Sequence, residues 1–258
     1  MTSRLFAENN REQIKEFAAA GGVAIVPIGA IEQHGPHLPV WADTLQVEHI
    51  TRSAMVLVSE STPIMVTPTL PFGSSDHHLP FGGTISLDTK VLLEVLMNIG
   101  RSLTKSGFRK IMFINGHGGN HEIFQLAARE LNIHAAAASW WSVAWSRIKN
   151  TDAFDYGRVP GHAGAFESAI VKAIAPHLVG PKPPASLWPD KDSKTKKDSW
   201  IAPMRVELAG SWQKMNGYGD NPNTIPDELG KELLQMSIEA VAEAIENFYR
   251  ATVNADIG

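Results

Sequence analysis

Short apolar runs alternate with longer amphipathic runs along the chain, and this alternation predicts the secondary structure. Four runs have the length of a buried strand, at residues 22–29, 63–70, 110–116 and 134–141. Apolar residues recur at helical spacing over roughly residues 43–60, 88–106, 120–131, 162–175 and 226–251. Strands that alternate with helices of this length are typical of βαβ units. The pattern therefore predicts an α/β fold in which helices cover both faces of a mainly parallel sheet.

Local signals refine the ends of these elements. Asp88 and Asn120 each precede a predicted helix, and each side chain can accept a hydrogen bond from an unpaired amide of the first turn. Residues 180–225 are rich in proline, glycine and charge, which predicts surface loops rather than a second domain. The basic stretch at 191–197 is interpreted as a solvated loop. We therefore predict one domain over residues 1–258.

The composition narrows the class of protein. A chain of 258 residues, 43% of them hydrophobic, can build the core of one α/β domain. The formal net charge of −4 provides no basic surface for nucleic acid. No apolar run approaches the ~18 residues of a membrane helix, and the first residues lack the apolar core of a signal peptide. The absence of cysteine excludes disulfides and thiolate catalysis and fits a reducing compartment. We expect a cytoplasmic protein that binds neither membranes nor nucleic acid.

Three polar clusters follow predicted strands or open a predicted helix, where α/β proteins bind their ligands. In the first cluster, "GAIEQHGPHLPVWADT", Glu32 and His34 are two residues apart and leave an extended segment on the same side. Asp43 follows after a proline-containing turn. Carboxylate and imidazole together suit Zn²⁺ or Mn²⁺. The alternative is a loop in which the carboxylates cap helices and His34 is a surface residue.

The second cluster is "NGHGGNHE", residues 115–122. Gly116 and Gly118 on the two sides of His117, with Gly119 next, allow a sharp turn and the close approach of a ligand. His117 is a candidate metal ligand, and an anion-binding turn at a helix N-terminus is the alternative. Neither GxGxxG nor a P-loop lysine is present, which disfavours a nucleotide site.

The third cluster, "VPGHAGAFESA", places His162 five residues before Glu167 at the start of a helix. A catalytic imidazole with a metal-binding carboxylate is one interpretation, and a solvated helix start is the other. His77 and His78 are expected in a surface loop, with a position at the pocket mouth as the alternative, so His78 is a candidate substrate contact.

These blocks resemble a known family. "GAIEQHGPHLP", "NGHGGN" and "HAGAFES" resemble the three signature blocks of the creatininase (creatinine amidohydrolase) family, and "FGGTISLD" and "GYGDNPNTIPDELG" resemble two further blocks. The blocks occur in order over nearly the whole chain. The resemblance implies a three-layer α/β/α sandwich with a mainly parallel central sheet, a centre of two zinc or manganese ions, and a homo-oligomer, often a hexamer.

The resemblance also implies roles for individual residues. Its metal ligands match Glu32, His34, Asp43 and His117, with Asp43 bridging both ions, and His162 matches a histidine implicated in proton transfer. Creatinine-hydrolysing members carry a ligating glutamate where this chain has Gly119. Glu167 is our candidate replacement, either as a metal ligand or as an acid–base group.

A second departure concerns the substrate. Those members enclose creatinine between two tryptophans; Trp141 matches the first, but Arg158 occupies the position of the second. Guanidinium binds carboxylate or phosphate in a forked geometry, so we expect an anionic or oxygen-rich substrate rather than creatinine. The other tryptophans are expected in packing or subunit contacts, at positions 140, 145, 188, 200 and 212.

The predicted reaction is hydrolysis at a carbonyl of a small cyclic amide. Two divalent ions about 3.5–4 Å apart lower the pKa of a shared water, which then attacks the carbonyl carbon. His162 protonates the departing nitrogen, and the backbone amides of the Gly116–Gly119 turn support the oxyanion. The alternatives are ring opening of a lactone or cyclic ketone or diketone, deformylation, a metal-dependent isomerase, and a non-catalytic metal-binding protein.

Overall fold

A four-stranded parallel sheet forms the centre of the computed structural model, which describes residues 2–187, 200–201, 204–205 and 209–255. Its strands, in sheet order β2-β1-β3-β4, are β1 (Val23–Ile28), β2 (Ile64–Val66), β3 (Lys110–Asn115) and β4 (His134–Ser139). All three strand pairs are parallel, as the alternation of strands and helices predicts. The carboxyl ends of these strands therefore meet at one edge of the sheet.

Helices connect and cover the strands. They are α1 (Arg11–Ala19), α2 (Ala42–Leu57), α3 (Thr89–Lys105), α4 (His121–Glu130), α5 (Trp140–Ile148), α6 (Ala165–Ile174), α7 (Ser211–Lys214) and α8 (Asp227–Ala255). The five predicted helices correspond to α2, α3, α4, α6 and α8. Two short strands, β5 (Trp200–Ile201) and β6 (Met204–Arg205), pair antiparallel with each other as a separate two-stranded sheet.

Two hydrophobic cores lie on opposite faces of the sheet. Along β1, Val23 and Ile25 pack with α2, α5, α6 and α8, whereas Val26 and Ile28 pack with α1, α3 and α4. This division follows from the alternation of side chains along a strand. The predicted three-layer α/β/α sandwich is confirmed, with every residue of β1 buried.

The predicted strand at 134–141 is two residues too long. β4 ends at Ser139, and α5 begins at Trp140. Trp140, Ala144 and Ile148 recur every four residues and are all buried, so the helical face was present in the sequence. The apolar run alone does not separate the end of a buried strand from the start of a buried helix.

One predicted helix cap is confirmed and the other is wrong. Asp88 accepts a hydrogen bond from the Lys90 amide at 2.8 Å. The Asn120 side chain makes no cap bond; it accepts from the Ser74 amide at 2.9 Å and donates to the Gly29 carbonyl at 3.1 Å. Asn120 is fully buried at the carboxyl edge of the sheet. Its side chain pairs the buried Ser74 amide and Gly29 carbonyl, which would otherwise lack hydrogen-bond partners, and it therefore does not cap the helix.

Apart from β5 and β6, the described parts of residues 180–225 are loops with short helical turns at Ala185–Leu187 and α7. The predictions for the basic stretch at 191–197 and for Trp188 lie outside the described residues, and so does the prediction for the Trp200 side chain. Among the helices that the structure describes, none is long and apolar enough to cross a bilayer. The single domain over residues 1–258 stays a prediction.

Candidate metal centre

Five ligand-type side chains converge at the carboxyl edge of the sheet. Each follows a strand or opens a helix: Glu32 and His34 after β1, His117 after β3, Asp43 as the second residue of α2, and Glu167 as the third of α6. Their side chains are at most 10% exposed. The parallel topology brings these elements together, so residues far apart in sequence share one buried site.

Glu32, Asp43 and His117 form a first group. Each offers a ligand atom, and these atoms all lie within 4.8 Å of one another. His117 Nδ1 is 3.0 Å from Asp43 Oδ2, and His117 Nε2 is 3.3 Å from Glu32 Oε2. The group has the size and the mixed nitrogen and oxygen donors of a metal site.

His34, Asp43 and Glu167 form a second group with the same spacing. His34 Nε2 is 3.4 Å from Asp43 Oδ1 and 3.6 Å from Glu167 Oε2. Asp43 belongs to both groups, with one oxygen facing His117 and the other facing His34. A carboxylate in this position is placed to bridge two cations.

The unpaired atoms of the cluster fit a cation. Within the described part of the chain, both Glu32 oxygens, Asp43 Oδ2 and His34 Nε2 are buried without a hydrogen-bond partner. Burying such groups unpaired costs free energy, and a metal ion would remove that cost. His34 Nδ1 is 3.0 Å from the Glu32 carbonyl oxygen, to which it donates, and this leaves the Nε2 lone pair for coordination.

The electrostatics indicate that protons balance the carboxylates when no cation is bound. Burial raises the pKa of Glu32 to about 7. Burial would lower the pKa of His117, but Glu32 and Asp43 raise it to about 9. In the same way Asp43 and Glu167 overcome burial and hold the pKa of His34 well above its usual value. Burial would raise the pKa of Asp43, but the two imidazoles hold it far below its ordinary range. A divalent cation can replace these protons.

Glu167 is held in place by the loop before α6. Its Oε2 accepts a 2.6 Å hydrogen bond from the Ala163 amide. Ala163 adopts a left-handed φ of 51°, which is unusual for a residue with a Cβ. Such local strain is often found at functional sites, and here it aims an amide at the carboxylate.

His162 lies on the more open side of the cluster. Its Nδ1 is 3.2 Å from Glu32 Oε1, and its ring centroid is 4.4 Å from that of His34. The His162 side chain is 12% exposed and that of His77 is 34% exposed, whereas His34 is fully buried. The Gly219 amide fixes the loop by donating to the His162 carbonyl at 2.7 Å. Solvent therefore reaches the cluster past His162 and His77.

The expectation that His78 lies in a surface loop is wrong. His78 is fully buried, and its Nε2 is 3.4 Å from Glu32 Oε1. It belongs to the short helix Asp76–Phe81, which packs the ring 4.3 Å from that of His162. Burial lowers the pKa of His78 to about 2. The spacing of "SSDHHLPFGG" gives no sign of this burial, because only the tertiary packing produces it.

Two residues of the site, Trp212 and Gln33, were not predicted from the sequence. The Trp212 ring lies 4.5–5.5 Å, between centroids, from the rings of His77, His78 and His162, so it forms a wall of the site. Gln33 contacts His78 and His162 through its carboxamide. Trp212 had no signal beyond its place in an irregular segment, whereas Gln33 lies directly between two predicted ligands.

The remaining candidates differ in how the structure places them. A Cβ on Gly119 would lie 2.2 Å from the Ser74 carbonyl oxygen and 2.5 Å from His117 Nε2, so this position has no room for a ligating side chain. A Cβ on Gly118 would meet nothing within 4 Å.

Trp141 packs against Trp140 and the core on the α8 face. Arg158 is exposed on the loop that carries His162. The substrate contacts of Gly118, Gly119, His78, Trp141 and Arg158 stay predictions.

The fold and the site together define an α/β protein with a buried, metal-type cluster at the carboxyl edge of its sheet. The sequence model of the creatininase (creatinine amidohydrolase) family matches residues 7–245, and the chain belongs to this family of amidohydrolases. The predicted family is thus confirmed.

The names of similar proteins describe three different reactions. The chain is 36% identical over 161 residues to the mycofactocin precursor peptide peptidase of Mycobacterium tuberculosis, covering 59% of this chain and 58% of that protein. It is 26% identical over 267 residues to the creatinine amidohydrolase of Pseudomonas putida, covering 94% and 95%. It is 24% identical over 190 residues to the 3-dehydro-scyllo-inosose hydrolase of Thermotoga maritima, covering 69% and 58%. The matches to the peptidases thus span less than two thirds of their length.

A crystal structure of creatininase has the same fold, with a TM-score of 0.74 and 24% identity over 96% of this chain and 99% of that chain. A structure described as a putative creatinine amidohydrolase from Bacteroides fragilis gives a TM-score of 0.62 at 27% identity, over 88% and 89%.

Proposed function

We propose that the protein is a hydrolase that uses two zinc or manganese ions to cleave an amide bond in a small substrate, a cyclic amide being the first candidate. The observation that carries the proposal is the pair of ligand groups that share Asp43, with His162 beside them on the open side. Family membership supports the reaction class. Solved creatininases include a zinc–zinc form and a manganese form, which supports the choice of ions.

The residues of the chain divide the work between holding the ions and moving protons. Glu32, Asp43 and His117 would hold one ion, and His34, Asp43 and Glu167 would hold the other. When bound, the ions supply a water of lowered pKa and polarise the substrate carbonyl. His162, an imidazole at the solvent side of the cluster, is placed to give a proton to the departing nitrogen. The open space beside Gly118 admits the substrate, and Trp212 with the His77 ring encloses it.

Two features bear on the substrate. The exposed guanidinium of Arg158, on the same loop as His162, favours a substrate with a carboxylate or phosphate group or many oxygens. Creatinine itself is not expected, because Arg158 occupies the position of a tryptophan that encloses it. The relatives' names include a precursor peptide, creatinine and 3-dehydro-scyllo-inosose, so a linear amide and a ring ketone are the main competitors of a cyclic amide.

The test combines metal analysis with mass measurement. Protein produced with ample zinc and manganese is analysed for bound metal, then incubated with cyclic amides, dipeptides, lactones, formamides and cyclic ketones. Hydrolysis adds one water to the substrate, isomerisation leaves its mass unchanged, and a binding protein leaves the compound intact. We expect two ions per chain and a hydrolysed amide.

Asp43→Asn should remove the metal and the activity, whereas Asp155→Asn, at an exposed position, should change neither. A protein that contains no metal, or an Asp43→Asn variant with full metal content and activity, would refute the proposal. The homo-oligomer, with a hexamer as the expected size, and the cytoplasmic location stay predictions; light scattering after size exclusion tests the former.

A further inference from the structure

The carboxamide of Gln33 joins four segments around the cluster. Gln33 lies between two candidate ligands and is buried. Its Nε2 is 2.8 Å from the Gly217 carbonyl oxygen, 2.8 Å from His78 Nδ1 and 3.2 Å from His162 Nε2. Its Oε1 accepts a 2.9 Å hydrogen bond from the Gly35 amide. Every polar atom of the side chain is thus engaged.

Two backbone partners fix which end of the carboxamide carries the protons. The Gly35 amide is a donor and requires the oxygen, and the Gly217 carbonyl is an acceptor and requires the NH₂ group. A flipped Gln33 would place donor against donor and acceptor against acceptor. The NH₂ group therefore faces the two imidazoles. One N–H bonds Gly217, and the other points to His78 Nδ1, its nearer imidazole partner.

This arrangement sets the tautomer of His78. Because Nδ1 accepts from Gln33, the neutral ring carries its proton on Nε2. His78 Nε2 lies 3.4 Å from Glu32 Oε1; both atoms are buried, and neither has a hydrogen-bond partner among the described residues. A protonated Nε2 cannot coordinate a cation, so His78 is not a ligand, although its Nε2 lies close enough to Glu32 and His77 to form a third metal-type group.

We propose that Gln33 is a positioning residue that acts through His78: it fixes the His78 tautomer, and the dipole of the resulting N–H, 3.4 Å away, attracts the Glu32 carboxylate and keeps it at its cation. Groups that hydrogen-bond to metal ligands typically change metal affinity by 10–100-fold when they are removed, and the longer His78–Glu32 contact should have an effect at the lower end, about tenfold. This inference rests on the proposed function, because it requires that Glu32 binds a metal.

The experiment measures Zn²⁺ affinity by competition with a chromophoric chelator and records the visible spectrum of the Co²⁺-loaded protein. Gln33→Leu removes the donor, and His78→Phe keeps a ring but removes its nitrogens. Gln125→Leu is the matched control, since Gln125 makes a 3.2 Å contact with the His121 ring at the surface. We expect Gln33→Leu to weaken Zn²⁺ binding by about tenfold and to shift the Co²⁺ bands, with no change in the control.

The double variant separates this role from a general effect on folding. If Gln33 acts through His78, adding Gln33→Leu to His78→Phe should cost little further affinity. Losses that multiply in the double variant, or an unchanged affinity and spectrum in Gln33→Leu, would overturn the inference. Circular dichroism checks folding, and Gln33→Met provides the same test if the leucine variant does not fold. A wild-type protein that binds no Zn²⁺ would refute the proposed function instead.

Discussion

The tight packing around Gly119 leads to a prediction that one methyl group can test. In Gly119→Ala, the new Cβ would lie 2.2 Å from the Ser74 carbonyl oxygen and 2.5 Å from His117 Nε2. Both distances are far shorter than van der Waals contact, so the backbone or the His117 ring must move. The same ring is 3.0 Å from Asp43 and 3.3 Å from Glu32, and its displacement disturbs the first ligand group.

The expected size of the effect follows from the cost of forcing a methyl group into packed surroundings. Overpacking of this kind costs about 1–3 kcal/mol of folding free energy. If about 1.4 kcal/mol of that strain is relieved only when His117 leaves its position, metal affinity falls about tenfold. Gly118→Ala is the matched control, because its Cβ would meet nothing within 4 Å. The loss of chain entropy in its unfolded state makes Gly118→Ala neutral or stabilising by at most about 1 kcal/mol.

Two measurements check the prediction. Urea unfolding of the metal-free proteins gives the difference in folding free energy between the variants and the wild type. Competition with a chelator gives the Zn²⁺ affinity of each. Equal stability and equal affinity for the two alanine variants would show that the space at Gly119 is not limiting, and the steric account of the missing glutamate would be wrong.

Three further predictions concern the ligands and their protons. Glu167→Gln should reduce the bound metal from two ions to one in elemental analysis, because the amide oxygen can still accept from the Ala163 amide but binds a cation weakly; retention of both ions would contradict its role as a ligand. The metal-free protein should lose stability from pH 7 to 9 in urea unfolding, because the raised pKa of His117, about 9 against 6.5 when unfolded, gives stability below pH 6.5 that disappears as the proton leaves. Stability that rises over this range would contradict that assignment. Zn²⁺ affinity should increase over the same range, since the cation then displaces fewer protons, and titration calorimetry at both pH values would reveal a failure.

The sequence alone determined the layers of the fold. Apolar runs located all four strands of the main sheet, and helical spacing located five helices. A strand in a covered sheet is apolar throughout, whereas a helix with one covered face is apolar only every three or four residues. It also supplied four candidate ligands. Glu32, His34, Asp43 and His117 lie in short blocks whose residue types and order can be read without a structure. Glu167 was a candidate from the third cluster, and the resemblance added a reason, because the family's ligating glutamate is missing at Gly119.

The tertiary structure decided what depends on contacts between distant segments. The spacing around Asn120 fits a helix cap, but its side chain hydrogen-bonds instead to the Ser74 amide and to the Gly29 carbonyl just after β1. His78 belongs to a polar stretch with the composition of a surface loop, yet it is buried against Glu32. Trp212, over 130 residues from His77 in sequence, packs on its ring.

The physical reason for this division is that periodicity and local composition report how much of a segment is buried, not what it is buried against. A parallel sheet gathers the ends of its strands at one edge, so the presence of a site there follows from the sequence. The partner of each side chain at that edge is set by packing between loops from separate βα units. Gln33 shows this most clearly, because its position between two ligands is visible in the sequence, whereas its contacts with His78 and Gly217 exist only in the folded chain.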